Sequence, residues 1–147
     1  MSNLTDGISA LLFQYTDALN CRDEDRFADS FCEDGIWEVP GLFTRKGRAE
    51  IRASRDLPRH NKWIFQLVHH FQVVRSTPGE AWVRTYVTEV GHRDGTGVFF
   101  LATYNDHCAE EDGRWRFKRR FCDILYRGKS DLADEVLRYP APERLTS

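Results

Sequence analysis

Four long segments of alternating apolar and polar residues occupy the second half of the chain and limit its possible folds most. They span residues 63–75, 81–92, 98–109 and 114–127. Short turns with Gly or Pro separate them, such as Thr77-Pro78-Gly79 and Glu111-Asp112-Gly113. Alternation is typical of half-buried strands, and tight turns between such strands indicate hairpins. The pattern predicts an antiparallel sheet of four long strands.

The first half of the chain has a helical pattern instead. Apolar residues recur at one-face helical spacing over residues 8–19, which predicts a first helix. A second, short helix is expected after Asp23, a short strand over 36–39 and a third helix over 47–56. Helices on one face of an antiparallel sheet define the α+β class.

Composition places the chain among ordinary globular proteins. Its 147 residues are 41% hydrophobic, enough for a core, and predict one domain over 1–147 with a core of about 5–127. Residues 128–147 are expected to be a tail or pocket flap, with a short helix around Asp131–Leu137. The net charge of −2 gives no reason to expect nucleic acid or membrane partners. The N-terminus lacks a secretory pattern and the four cysteines form no CxxC pair, so a cytoplasmic protein with reduced thiols is expected.

Several short strings, in this order and spacing, resemble the SnoaL-like branch of the nuclear-transport-factor-2-like superfamily. They are residues 15–20 (YTDALN), 31–37 (FCEDGIW), 46–48 (KGR), 68–70 (VHH) and 113–115 (GRW). The resemblance covers roughly residues 5–127 and implies a cone-like curved sheet that encloses a pocket. This branch includes scytalone dehydratases, hexachlorocyclohexane dehydrochlorinases and bile acid 7α-dehydratases. Its lyases generally use no metal or organic cofactor, so no cofactor is expected.

The resemblance also implies site residues. His69 matches the position of the family's catalytic histidine, and Asn20 stands where the partner carboxylate is found. Tyr15, five residues before Asn20, matches a catalytic tyrosine, and Arg120 matches a cationic residue of the pocket. An asparagine can orient an imidazole but cannot stabilise an imidazolium ion, so the usual strength of this base is in question.

Strand geometry adds Phe71 and Glu89 as expected substrate-binding residues, and aromatic content adds Trp37. Adjacent strand residues point to opposite faces, so His69 inside the pocket requires His70 outside and puts Phe71 on the inner side. A hairpin about Pro78 would bring Glu89 near His69, where its carboxylate could orient the imidazole. Trp37 would add aromatic wall. The five histidines have no chelating spacing, so no metal site is expected.

Each of these residues also has an ordinary structural interpretation. His69 and Tyr15 could belong to the core, Asn20 could cap a helix, and Arg120 could lie on a solvated strand face.

The functional hypothesis is a cofactor-independent lyase acting on a small hydrophobic, hydroxylated aromatic or polyketide-like compound. The reaction would be dehydration or another elimination, isomerisation, or retro-aldol loss of formaldehyde, with His69 moving the proton. The alternative is a non-catalytic ligand-binding or assembly module like the β subunits of ring-hydroxylating dioxygenases. An epoxide hydrolase is a weaker alternative, since no Asp-Arg-Asp trio is evident. Trp82 and Tyr86, apolar on the convex face, predict self-association as a dimer or trimer.

Overall fold

The computed structural model describes residues 3–56, 61–93, 95–131, 135 and 137. Its helices are α1 (Leu4–Cys21), α2 (Glu24–Asp29) and α3 (Arg48–Asp56). Its strands are β1 (Phe31–Val39), β2 (Phe43–Lys46), β3 (Asn61–Thr77), β4 (Glu80–Arg93), β5 (Thr96–Glu111) and β6 (Arg114–Ser130). All four predicted long strands and all three predicted helices are present, and β2 is an additional short strand. The predicted helix around Asp131–Leu137 lies mostly outside the described residues.

Side-chain caps set where the first two helices begin. The Asn3 side chain accepts a hydrogen bond from the Thr5 amide, and the Asp23 side chain accepts one from the Arg26 amide. Such bonds satisfy amides that have no partner within the helix. Helix α1 ends at Cys21, and the next residue, Arg22, has a left-handed φ of 58°. This conformation turns the chain directly into α2.

The six strands form one curved, open sheet in the order β2-β1-β6-β5-β4-β3. The four long strands pair antiparallel, which confirms the prediction for that half of the chain. Strand β1 pairs parallel with β6 and antiparallel with β2. The fold is therefore α+β, with a sheet that is mostly antiparallel.

Bulges interrupt the alternation of the long strands. In the β3–β4 pair, Val68 faces Val87 and His70 faces Tyr86, so His69 is an extra residue. A bulge lets two residues of one strand oppose one residue of its partner. The alternation of inward and outward side chains is therefore interrupted at His69 and does not continue in step from one side of it to the other.

Helix α1 covers one end of the concave face and leaves the other end hollow. Its buried side chains Ile8, Leu12 and Tyr15 belong to a core cluster that also contains Val83 and Phe117 of the sheet. A second cluster of buried residues lies on strands β1, β4, β5 and β6: Val39, Val87, Ala102, Tyr104 and Cys122. All five are residues of the sheet, and they form part of the wall of a cavity. Within the described residues, no helix is both long and apolar enough to cross a membrane.

Candidate active site

A cavity of about 460 Å³ lies between the concave face and the helices. Its volume is within the range of ligand pockets, about 300–1,000 Å³. Most of its wall is apolar or aromatic: Tyr15, Leu19, Trp37, Val39, Leu42, Phe43, Ile64, Val87, Val98, Phe100, Ala102, Tyr104 and Ile124. Glu89, Arg45 and Arg55 are its charged lining residues, and they limit what the cavity can bind.

Glu89 brings a carboxylate into the cavity from β4. It stands directly opposite Gln66 of β3, and the Gln66 amide nitrogen donates to a Glu89 carboxylate oxygen at 3.0 Å. The same side-chain nitrogen lies 3.3 Å from the Tyr104 hydroxyl. The side-chain oxygen of Gln66 accepts a hydrogen bond from the Thr16 hydroxyl at 3.4 Å. Gln66 is almost fully buried. The amide thus fixes the carboxylate and the phenol relative to each other.

Asn20 acts on the backbone of β3. Its side-chain oxygen accepts a hydrogen bond from the main-chain N–H of Gln66 at 2.8 Å, and its side-chain nitrogen donates to the main-chain carbonyl of Gln66 at 2.9 Å. Strand β3 is the edge of the sheet, so these main-chain groups have no neighbouring strand to bond. Asn20 does not line the cavity, and both polar atoms of its side-chain amide are bonded to this edge strand.

Tyr15 and Tyr104 supply phenol groups to the cavity wall. Burial raises the pKa of Tyr15 to about 12, although Arg120 and the neighbouring Tyr104 hydroxyl act to lower it. Burial also holds the pKa of Tyr104 well above its ordinary value. Both phenols therefore stay protonated at neutral pH and act as hydrogen-bond donors rather than as bases.

Arg120 lies behind these phenols and does not line the cavity, which corrects its expected role in substrate contact. It is fully buried, and its guanidinium carbon lies 3.7 Å from the ring centre of Tyr104 and 4.1 Å from that of Tyr15. Its Nε lies 3.5 Å from a carboxylate oxygen of Asp106, which is also buried. The strand register explains the position, since Arg120 and Asp106 face each other across β6 and β5 under helix α1.

His69 lies outside the cavity, so the prediction that it faces inward is wrong. The His69 side chain is exposed, and its Nε2 is hydrogen-bonded to the Thr88 hydroxyl. Thr88 alternates with the cavity residues Val87 and Glu89 and therefore lies on the convex face. His70 lies there too, with its ring stacked on Tyr86 at 4.5 Å. The bulge at His69 breaks the alternation, so neither histidine reaches the cavity.

The register between β3 and β4 also places Glu89 and Phe71 differently from what was expected. Glu89 does line the cavity, but it is paired with Gln66 rather than placed beside His69. Phe71 faces inward beyond the bulge, opposite Thr85, and packs against the core cluster under α1. It is therefore part of the core and not of the cavity wall. Tyr15 and Trp37 line the cavity as expected.

Sequence reasoning missed Gln66, Tyr104, Arg45 and Arg55. Gln66 had a detectable signal, because it is the one polar residue in the apolar run from Trp63 to Val68. Arg55 stands at the end of α3, forms an ion pair of 2.7 Å with Glu24, and lies 4.5 Å from the Phe27 ring. Among the residues that the structure describes, no group of His, Cys, Asp and Glu is arranged to hold a metal ion.

An open α+β cone with an aromatic cavity is the architecture of a small-ligand domain. The model of the SnoaL-like domain family matches residues 2–121, and the chain belongs to this family. No curated protein matches the chain.

Solved structures agree with this assignment at the level of the fold. A scytalone dehydratase-like protein from Novosphingobium aromaticivorans is 19% identical, with a TM-score of 0.77 over 86% of this chain and 87% of that chain. A hexachlorocyclohexane dehydrochlorinase from Novosphingobium barchaimii is 18% identical, with a TM-score of 0.78 over 86% and 90%. ActVI-ORFA from Streptomyces coelicolor is 17% identical, with a TM-score of 0.70 over 84% and 98%. Identities this low support a shared fold and leave the reaction open.

Proposed function

We propose that this protein is a cofactor-independent lyase or isomerase that removes a proton from a small hydrophobic, hydroxylated ring compound bound in the cavity. Glu89 is the proposed base, in place of His69. The carrying observation is the Glu89 carboxylate on an otherwise largely apolar wall, held by the Gln66 amide at 3.0 Å. A carboxylate in an apolar site is a competent general base once its position is fixed.

The neighbouring phenols fit such a reaction. The Tyr104 hydroxyl is close to the Gln66 nitrogen, and both Tyr104 and Tyr15 remain protonated. Hydrogen bonds from phenols stabilise negative charge that develops on a substrate oxygen. The buried Arg120 guanidinium beneath both rings adds positive potential at this part of the wall.

The steps of a dehydration follow from these groups. Glu89 takes a proton from a carbon next to an activating group, and the C–H electron pair forms the new double bond. The C–O bond breaks, and the departing hydroxide takes up the proton that Glu89 removed and leaves as water. Glu89 returns to the carboxylate form by giving up the proton it removed. An isomerisation would begin with the same proton removal and return the proton at another carbon.

Proton removal can be tested without knowledge of the full reaction. Hydroxylated aromatic and alicyclic ketones would be incubated with the protein in D₂O, and mass spectrometry would record deuterium uptake and loss of water. We expect enzyme-dependent exchange that falls by about 10²–10⁴-fold in Glu89→Gln, the usual contribution of a general base. The matched control is Glu110→Gln, an exposed carboxylate on β5. Equal exchange by Glu89→Gln and wild type would reject Glu89 as the base.

One observation favours the non-catalytic alternative. Within the described residues, no histidine lines the cavity, and Asn20 is engaged with the backbone of β3. A ligand-binding module would bind ring compounds in the same cavity. The wild-type protein would then catalyse no deuterium exchange on any compound that it binds. Ligand binding without exchange is therefore the result that selects this alternative.

A further inference from the structure

Arg45 is a cavity-lining arginine that has no ion-pair partner among the residues that the structure describes. Its guanidinium carbon lies 5.3 Å from the ring centre of Phe43, and this ring contact is the interaction found for it. Arg55, the other cationic lining residue, is paired with Glu24 at 2.7 Å and stacked on Phe27. Among the described residues, Arg45 is thus the lining cation whose charge is not already neutralised by a nearby carboxylate.

Arg45 and Glu89 are on distant strands of the sheet. Arg45 lies on β2 and Glu89 on β4, four positions apart in the strand order β2-β1-β6-β5-β4. Neighbouring strands are about 4.8 Å apart, so this separation is roughly 19 Å along the sheet and less across its concave side. The wall between them is apolar and aromatic, including Trp37, which faces Arg45 directly across β1 and β2.

These charges discriminate between the two ends of a ligand. An anionic group would be repelled by the Glu89 carboxylate and attracted by the Arg45 guanidinium, whose planar fork matches the two oxygens of a carboxylate. The apolar body between them would rest on the aromatic wall. One orientation would then be favoured, with the uncharged end of the ring system at Glu89.

We propose that the ligand of this cavity is a ring compound with a carboxylate, and that Arg45 binds this carboxylate at the β2 end. This inference rests on the proposed function for the identity of the site, and it adds the charge and orientation of the substrate. Arg45 is a specificity-determining residue in this arrangement, because it selects acids over neutral compounds of the same shape.

Matched acid and amide ligands test this selection directly. The probes are 4-hydroxybenzoate and 3-hydroxy-2-naphthoate, each with its own carboxamide, and calorimetric titration measures their dissociation constants. Because hydrogen bonds to charged groups are stronger than those to neutral groups, wild type should bind the tighter-binding acid about 10- to 100-fold more tightly than its carboxamide. Arg45→Gln should remove this preference, and Arg45→Lys should keep part of it.

Arg84→Gln is the matched control, since Arg84 is an exposed arginine on β4 whose side chain alternates with the inward residues Val83 and Thr85. It should keep the full preference for acids. Thermal unfolding of each variant checks that the fold is intact. Equal affinities for acid and carboxamide in wild type, no binding of either acid, or a preference that survives in Arg45→Gln would overturn the proposal.

The outcomes also separate this proposal from the catalytic one. Acid preference that depends on Arg45, combined with no deuterium exchange, would support the anion site and reject the enzyme. Exchange that depends on Glu89, combined with no acid preference, would support the enzyme and reject the anion site.

Discussion

The side-chain amide of Asn20 forms two hydrogen bonds with the main chain of Gln66, one to its N–H and one to its carbonyl. Asn20 thereby takes the place of a neighbouring strand at the open edge of the sheet. The same residue, Gln66, holds Glu89 with its side chain. The end of helix α1 therefore determines where the proposed base is located.

The first prediction concerns Asn20→Asp. A carboxylate can still accept from the Gln66 N–H, but it cannot donate to the Gln66 carbonyl and would repel that oxygen. A lost hydrogen bond of a buried group costs about 1–3 kcal/mol, so the free energy of unfolding should fall by this amount. Urea unfolding measures it. Asn105→Asp, at an exposed position of β5, is the matched control and should change little. An Asn20→Asp protein as stable as wild type would show that the two Asn20–Gln66 hydrogen bonds contribute nothing to the free energy of unfolding.

Much of this fold was predictable because its signals are local. Period-two alternation and Gly-containing turns determine the four long strands, and a single apolar helix face predicts α1. Strand β2 was missed because only one of its four residues, Phe43–Lys46, is apolar, so no apolar stretch marks it. The parallel pairing of β1 with β6 joins segments about 80 residues apart, and no local pattern reports such a contact.

The candidate site was less predictable because it depends on register. Tyr15 was placed in the cavity by family resemblance, Trp37 by aromatic character and Glu89 by hairpin geometry, and all three line it. The bulged residue His69 lies on the convex face itself and reverses the expected face of the residues before it, whereas His70 and Phe71 keep theirs. Family resemblance identified this position by order along the chain, which carries no information on a local bulge. Gln66, which does face inward, differs from its neighbours only in polarity.

The second prediction is that His69→Ala leaves the reaction unchanged. The His69 ring is exposed and hydrogen-bonded to Thr88 on the convex face, so it has no path to a ligand in the cavity. Deuterium exchange by His69→Ala should equal that of wild type, whereas exchange by Glu89→Gln should fall by about 10²–10⁴-fold. A large loss in His69→Ala, with thermal stability preserved, would return the histidine to the active site.

The third prediction concerns the convex face, where we propose that a second copy of the chain binds. Leu67, Thr88, Leu101 and Tyr126 form a continuous row across β3, β4, β5 and β6. The apolar members are 55%, 41% and 55% exposed, respectively. Large exposed apolar side chains gathered on one face mark interaction sites, and two-fold self-association is the commonest form in soluble oligomers.

Light scattering at micromolar concentration tests this association. Wild type should have the mass of an oligomer, and Leu101→Glu should have the mass of a monomer, because a charge in the middle of the row cannot be desolvated without a partner. Ala53→Glu, on the exposed side of α3, should remain oligomeric. A monomeric wild type would refute the proposal.

The fourth prediction concerns pH and the buried pair of Asp106 and Arg120. Burial raises the pKa of the Asp106 carboxyl from its ordinary value of 3.8 to about 7, although Arg120 acts in the opposite direction. Arg120 itself stays protonated throughout this range. Between about pH 4 and 7, the folded chain therefore holds a proton at Asp106 that the unfolded chain has released.

The sign of the effect follows from this difference in bound protons. The contribution of Asp106 to the free energy of unfolding is complete below about pH 4 and falls as pH rises, by at most about 1.4 kcal/mol per unit, until it is lost above pH 7. Urea unfolding of wild type and Asp106→Asn from pH 4 to 8 should show their difference declining in this window. Asp123→Asn, at an exposed position of β6, should follow wild type. If Asp106→Asn does not fold, carboxyl NMR of wild type gives the same answer, and a titration of Asp106 near its ordinary pKa of 3.8 would contradict the prediction.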